Sequence, residues 1–149
     1  MALLLDTNVT SELRRARQPG TDPVFARWAA SVDLADAFLS VLTIHEMMRG
    51  ALLVSRRDPA TGAVYRAWID DLRDAFDGRI LEISLDAATV SAGYHVPDPV
   101  PLADALIAGT AAVHSLTVAT RNTRDYARFG VPLLNPWHDG GMAPCQHCV

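Results

Sequence analysis

Short, almost wholly apolar runs alternate along the chain with longer stretches in which apolar residues return every three or four positions. Leu3-Leu4-Leu5 is the first run, and it stops at Asp6-Thr7-Asn8, polar residues able to cap a helix beginning near Val9. Pro19-Gly20 breaks that helix, and Val24 and Trp28, four apart after Pro23, predict a second short one. Ala37 to Leu42 reads as the next strand. Ile44, Met47, Met48, Ala51 and Leu52 then follow the spacing of one helix face, the clearest amphipathic pattern in the sequence. Asp58-Pro59 opens a further helix carrying Val64, Trp68, Leu72 and Phe76, and Asp77-Gly78 closes it. A strand over Ile80 to Ile83 and a short helix over Ser84 to Gly93 lead to the proline-rich stretch Pro97 to Pro101. A helix over Leu102 to Ser115 follows, then strands over Leu116 to Thr120 and Val131 to Leu134, separated by a polar turn from Arg121 to Asp125.

Strands that alternate with helices favour an α/β fold with a central, mostly parallel sheet covered by helices on both faces. In such sheets ligands bind beyond the carboxyl ends of the strands, which makes Asp6 and the turn after Thr120 eligible neighbours. With 149 residues the chain suits a single core. The expected domain spans 1–137, with a poorly ordered tail over 138–149.

Half the residues are hydrophobic and a fifth are charged, the balance of a soluble globule. No run reaches the roughly 18 apolar residues of a membrane span, and the N-terminus lacks a signal-peptide pattern, so a cytoplasmic protein without membrane partners is expected. Cys145 and Cys148 both lie in the tail, where no pair can brace the domain. With His147 or His138 they fall short of the four ligands of a structural zinc site. The net charge of −4 is no basic footprint, yet all thirteen basic residues are arginines and several cluster. Arginine suits bidentate phosphate contacts, and Arg14, Arg49 and Arg121, close in sequence to acidic positions, are candidates for them.

The acidic positions carry the candidate chemistry. Asp6 follows an apolar strand, whereas Glu46 and Asp104 each stand near the start of an apolar helix that must pack on the sheet. Each has an ordinary explanation: Asp6 as a helix cap, Asp104 in a first turn favoured by the helix dipole, and Glu46 as the far end of a Thr43-to-Glu46 capping box. Brought together at one sheet edge, three carboxylates would repel one another and resist burial unless a hard divalent cation neutralised them.

The opening Leu3 to Val9, the segment Ser40 to Glu46 with Gly50, Asp104-Ala105-Leu106-Ile107-Ala108, Thr120-Arg121-Asn122 with Asp125-Tyr126, and Asn135-Pro136-Trp137 together resemble PIN-domain ribonucleases, in particular the VapC/FitB-type toxins of toxin–antitoxin pairs. The motifs occur in order over almost the whole chain. The resemblance implies a PIN-like fold and a magnesium-dependent ribonuclease, with manganese able to substitute. It also implies single-stranded or looped RNA from tRNA or mRNA as substrate, 5′-phosphate and 3′-hydroxyl products, a homodimer, and a small cognate antitoxin laid across the acidic groove. Carried over by position, Asp6, Glu46 and Asp104 are the metal-binding acids and Thr120 is the hydroxyl residue beside them. The fourth acidic position falls on Asn122, which keeps an oxygen but loses the charge, with Asp125 as the candidate substitute. Glu12 and His45 lie close to the same motifs.

Two other readings compete. Asp6-Thr7-Asn8-Val9-Thr10 loosely fits the opening of haloacid-dehalogenase-like phosphatases, but Asn8 removes the general acid and the chain has no lysine. A PIN-like module that binds RNA or protein without cutting is the non-enzymatic alternative.

Overall fold

The computed structural model describes residues 1–139. Strand β1 (Leu3–Leu5) lies at the centre of a five-stranded, all-parallel sheet of order β3-β2-β1-β4-β5, the others being β2 (Ala37–Ser40), β3 (Ile80–Leu81), β4 (Thr117–Ala119) and β5 (Leu133–Leu134). Leu3 pairs with Ala37 on one side and Thr117 on the other, so β1 bonds to segments far apart in sequence. Successive strand residues point to opposite faces, and here both faces are apolar. Leu3 and Leu5 join a cluster with Val9, Phe25, Met47 and Ile69, whereas Leu4 joins Ala105, Ile107, Ala108 and Tyr126 on the other face. Three consecutive leucines are therefore all buried, each worth about 1.5–3 kcal/mol relative to exposure.

The first face is covered by α1 (Thr7–Leu13), α2 (Pro23–Ser31), α3 (Val41–Ser55) and α4 (Pro59–Ala75), whose inward residues supply the first cluster. The second is covered by α6 (Leu102–His114), with α5 (Leu85–Gly93) packed on it. A four-residue helix α7 (Thr123–Tyr126) fills the connection from β4 to β5. The expected α/β architecture and nearly all its elements are present. Trp28, Met47 and Met48 pack in or against the core, as amphipathic helices require.

Several boundaries move for identifiable reasons. Helix α1 starts at Thr7 rather than Val9, because the Asp6 side chain accepts a hydrogen bond from the Thr7 amide at 2.8 Å and caps it. Strand β2 ends at Ser40 rather than Leu42, since Ser40 accepts from the Leu42 amide and starts α3 at Val41. Thr43 and Glu46 consequently lie within α3, and the capping box is not formed. Strands β3, β4 and β5 are shorter than expected, and the polar turn Arg121 to Asp125 contains most of α7. The tail with Cys145, His147 and Cys148 lies outside the described residues. No described helix is long and apolar enough to cross a membrane.

Two positions test the packing. A Cβ placed on Gly109 of α6 would sit 2.6 Å from the Ala87 carbonyl oxygen and 3.2 Å from the Ser91 Cβ, both on α5. Gly109→Ala is expected to cost about 1–3 kcal/mol in denaturant unfolding, because the Ala87 carbonyl is backbone that cannot swing aside. Ser115, which ends α6 in the left-handed region at φ 54°, carries a Cβ where glycine is favoured. Ser115→Gly is expected to stabilise by up to about 1 kcal/mol in the same measurement, since relief of that conformation outweighs glycine's greater unfolded freedom.

Candidate active site

Strand order 3-2-1-4-5 reverses direction around β1, and the crevice at such a point opens beyond the strands' carboxyl ends. Asp6 immediately follows β1 there. Its amide donates to the Ala119 carbonyl at 2.9 Å, extending the ladder between β1 and β4 by one rung and fixing the side chain in place. Asp6 is only 6% exposed. Its Oδ1 accepts from the Thr7 amide, and its Oδ2 accepts from the Thr120 hydroxyl at 2.8 Å and the Asn8 amide group at 3.1 Å. These donors favour the ionised form, but burial outweighs them. The carboxyl pKa is raised above its ordinary 3.8, chiefly by desolvation, with the Glu46 charge adding to the rise.

Glu46, in the second turn of α3, reaches towards α1, where its Oε2 accepts from the Thr7 hydroxyl at 2.6 Å. Asp104 stands in the first turn of α6. Its pKa is raised by partial burial first, then by the negative charges of Asp6, Asp125 and Glu46. Four carboxyl groups from α1's cap, α3, α6 and α7 therefore share one electrostatic patch. Among the described residues, the ion pairs are Arg27 with Asp139 and Arg73 with Asp70; neither involves these four.

The sequence-derived residues divide accordingly. Asp6, Glu46 and Asp104 come together electrostatically, and Asp125 joins them through its field on Asp104. Asn122 is exposed, and its backbone amide, rather than its side chain, meets the site by donating to the Thr120 hydroxyl at 3.0 Å. Thr120 is fully buried, with its proton committed to Asp6, so it orients that carboxylate. Glu12 and Arg14 line a groove of about 460 Å³ that runs from Thr7 and Glu46 towards Tyr65 and Trp68 on α4. Within it the Arg14 guanidinium lies over the Tyr65 ring, 4.2 Å from its centroid. Arg121 stacks over Trp137 at 5.0 Å. Arg49 and His45 line a different depression on α3 with Ile44 and Leu52; His45, one residue from Glu46, is turned about 100° from it.

Sequence reasoning overlooked three contributors: Thr7 and Asn8, which passed for helix-starting residues, and Tyr126, whose phenol meets Asp104 Oδ1 at 3.5 Å. Asn8 also accepts from the Arg121 amide at 3.1 Å, tying the loop after β4 to α1.

A PIN domain family model matches residues 3–131. The chain belongs to the PIN domain family. Among curated relatives of this PIN domain, the FitB toxin of Neisseria gonorrhoeae is 35% identical over 143 residues, covering 92% of this chain and 99% of that protein. The VapC ribonuclease Y4jK of Sinorhizobium fredii is 29% identical over 141 residues, covering 91% and 97%. A crystal structure of FitAcB from Neisseria gonorrhoeae superposes with a TM-score of 0.82 at 33% identity, covering 92% of this chain and 99% of that one. This assignment displaces the phosphatase reading of the Asp6 motif.

The donor set is one of hard oxygens with no ion pair to a basic side chain among the described residues, the chemistry a divalent cation requires. Among the described residues, no three His, Cys, Asp or Glu side chains come close enough together to enclose a metal ion. Like charges hold one another apart, and an ion such as magnesium takes only one or two carboxylates directly and completes its shell with water. The donors present thus fit a water-rich site, not an all-protein one.

The raised pKa values have a sign that can be checked. Between pH 3.8 and the raised native value, the folded protein binds more protons than the unfolded chain, so this contribution to stability falls as pH rises and stays unfavourable at neutral pH. Asp104→Asn removes one charge and keeps an acceptor for Tyr126. In chelator at pH 7 it is expected to raise Tm, with the gain shrinking towards pH 4; a lowered Tm at pH 7 would contradict this account of the patch.

Proposed function

We propose that the protein is a magnesium-dependent endoribonuclease and the toxin member of a toxin–antitoxin pair. The observation that carries this reading is the buried Asp6 carboxylate beyond the central strand, sharing its field with Glu46 and Asp104 and bonded to no basic side chain among the described residues. The names of its relatives, a toxin and a ribonuclease, point the same way.

In this reading Asp6 and Asp104 hold the ion, and Glu46, tethered through Thr7, binds through water. The chemistry expected of a cation so held is activation of a water for in-line attack on a phosphodiester and neutralisation of charge on the phosphoryl oxygens. Thr120 and Asn8 fix the Asp6 oxygens; Asp125, in place of Asn122, supplies the fourth negative charge. Arg14 and Arg121, each held over an aromatic ring, are placed to meet the phosphates of a single-stranded RNA such as a tRNA or mRNA loop. The groove leading away from Glu46 suits the segment of a cognate antitoxin that would silence the site. A homodimer working in the cytoplasm completes the proposal.

The test is cleavage of a fluorogenic single-stranded RNA by the full chain, with magnesium or with chelator. Wild type is expected to cleave only with the metal, and Asp6→Asn and Asp104→Asn to lose at least about a hundredfold, the scale of losing one transition-state charge stabiliser. RNA bound but left intact would identify a binding module instead, and full activity in both variants would overturn the catalytic assignment.

A further inference from the structure

Tyr126 is the largest fully buried side chain among the described residues, and its phenol ends beside the Asp104 carboxylate. The ring cannot leave that position. It belongs to the apolar cluster under α6, with Ala105, Ile107 and Ala108, and packs edge-on against Phe129 at 5.6 Å between centroids and 81° between planes. Its hydroxyl meets Asp104 Oδ1 at 3.5 Å, a long hydrogen bond, from α7 across to α6. We propose that Tyr126 is a positioning residue of the acidic site, a rigid hydroxyl donor that holds the Asp104 carboxylate in place for a divalent cation. The proposal rests on the metal-site reading given above.

Three features support the assignment. A phenol carries its proton at neutral pH. It therefore serves only as a donor towards carboxylates. It also meets the one carboxyl, Asp104, whose ionised form partial burial and the charges of Asp6, Asp125 and Glu46 all oppose. Finally, phenylalanine would fill the same apolar space, so core packing alone gives no reason for a hydroxyl here. Groups that hydrogen-bond a ligating carboxylate typically govern metal affinity by about 10- to 100-fold.

The experiment compares wild type, Tyr126→Phe and Asp104→Asn as full chains, with magnesium binding measured by calorimetry and RNA cleavage followed across magnesium concentrations. Tyr126→Phe is expected to weaken magnesium binding about 10- to 100-fold and to shift cleavage to correspondingly higher magnesium, with most of the rate regained at saturation. A role confined to packing would leave magnesium affinity unchanged. A stability cycle in chelator with Asp104→Ala guards against a general folding defect, because the two changes are expected to be non-additive only if the hydroxyl and the carboxylate interact. If wild type binds magnesium, Asp104→Asn does not, and Tyr126→Phe matches wild type, the proposal for Tyr126 is overturned while the metal site stands. Absence of magnesium binding in wild type overturns both.

Discussion

The structure turns on a carboxylate whose backbone belongs to the sheet. Asp6 cannot move to solvent without losing its rung to Ala119, and that rung belongs to the ladder joining the central strand to β4. Burial of the charge follows from its place in the ladder. The neighbourhood is built to tolerate it: the Thr7 amide, the Asn8 side chain and the Thr120 hydroxyl all aim donors at the two oxygens. It is not built to neutralise it, since Glu46 and Asp104 bring further negative charge. A protein selected for stability alone would gain by a neutral residue here, and local conflict of this kind marks functional positions.

The architecture was largely legible because both kinds of periodicity are strong. A run of three leucines buried from both faces and helices with recurring apolar positions leave little choice of fold. Boundaries were less legible where two residues could play one part. Ser40 and Thr43 can each cap a helix, and the choice falls on Ser40 because β2 makes its last pairing there, with Leu81. Nothing local encodes that pairing. Helix α7 escaped notice because four residues are too few to show a period.

Within the site, the carboxylates were readable through the family resemblance, whereas the residues that hold them were not. The contact from Thr7 to Glu46 spans 39 positions, and that from Tyr126 to Asp104 spans 22; both arise only when helices meet. Arginines near acidic residues in sequence proved a mixed guide. Arg14, 32 residues from Glu46, lies in the groove beside it, while Arg49, only three residues away, lines another depression on α3. Sequence distance alone does not decide such cases.

The strand order carries a consequence for the making of the molecule. Asp6 and Glu46 belong to the first third of the chain, whereas Asp104 and Thr120 belong to its last third, and the central strand needs β4 before its second edge is paired. A ribosome that has synthesised only as far as α5 therefore holds a chain with half of the acidic patch and a sheet missing two strands. The complete constellation comes into being only once α6 and α7 have been made, so a copy terminated before α6 carries Asp6 and Glu46 alone of the four carboxylates.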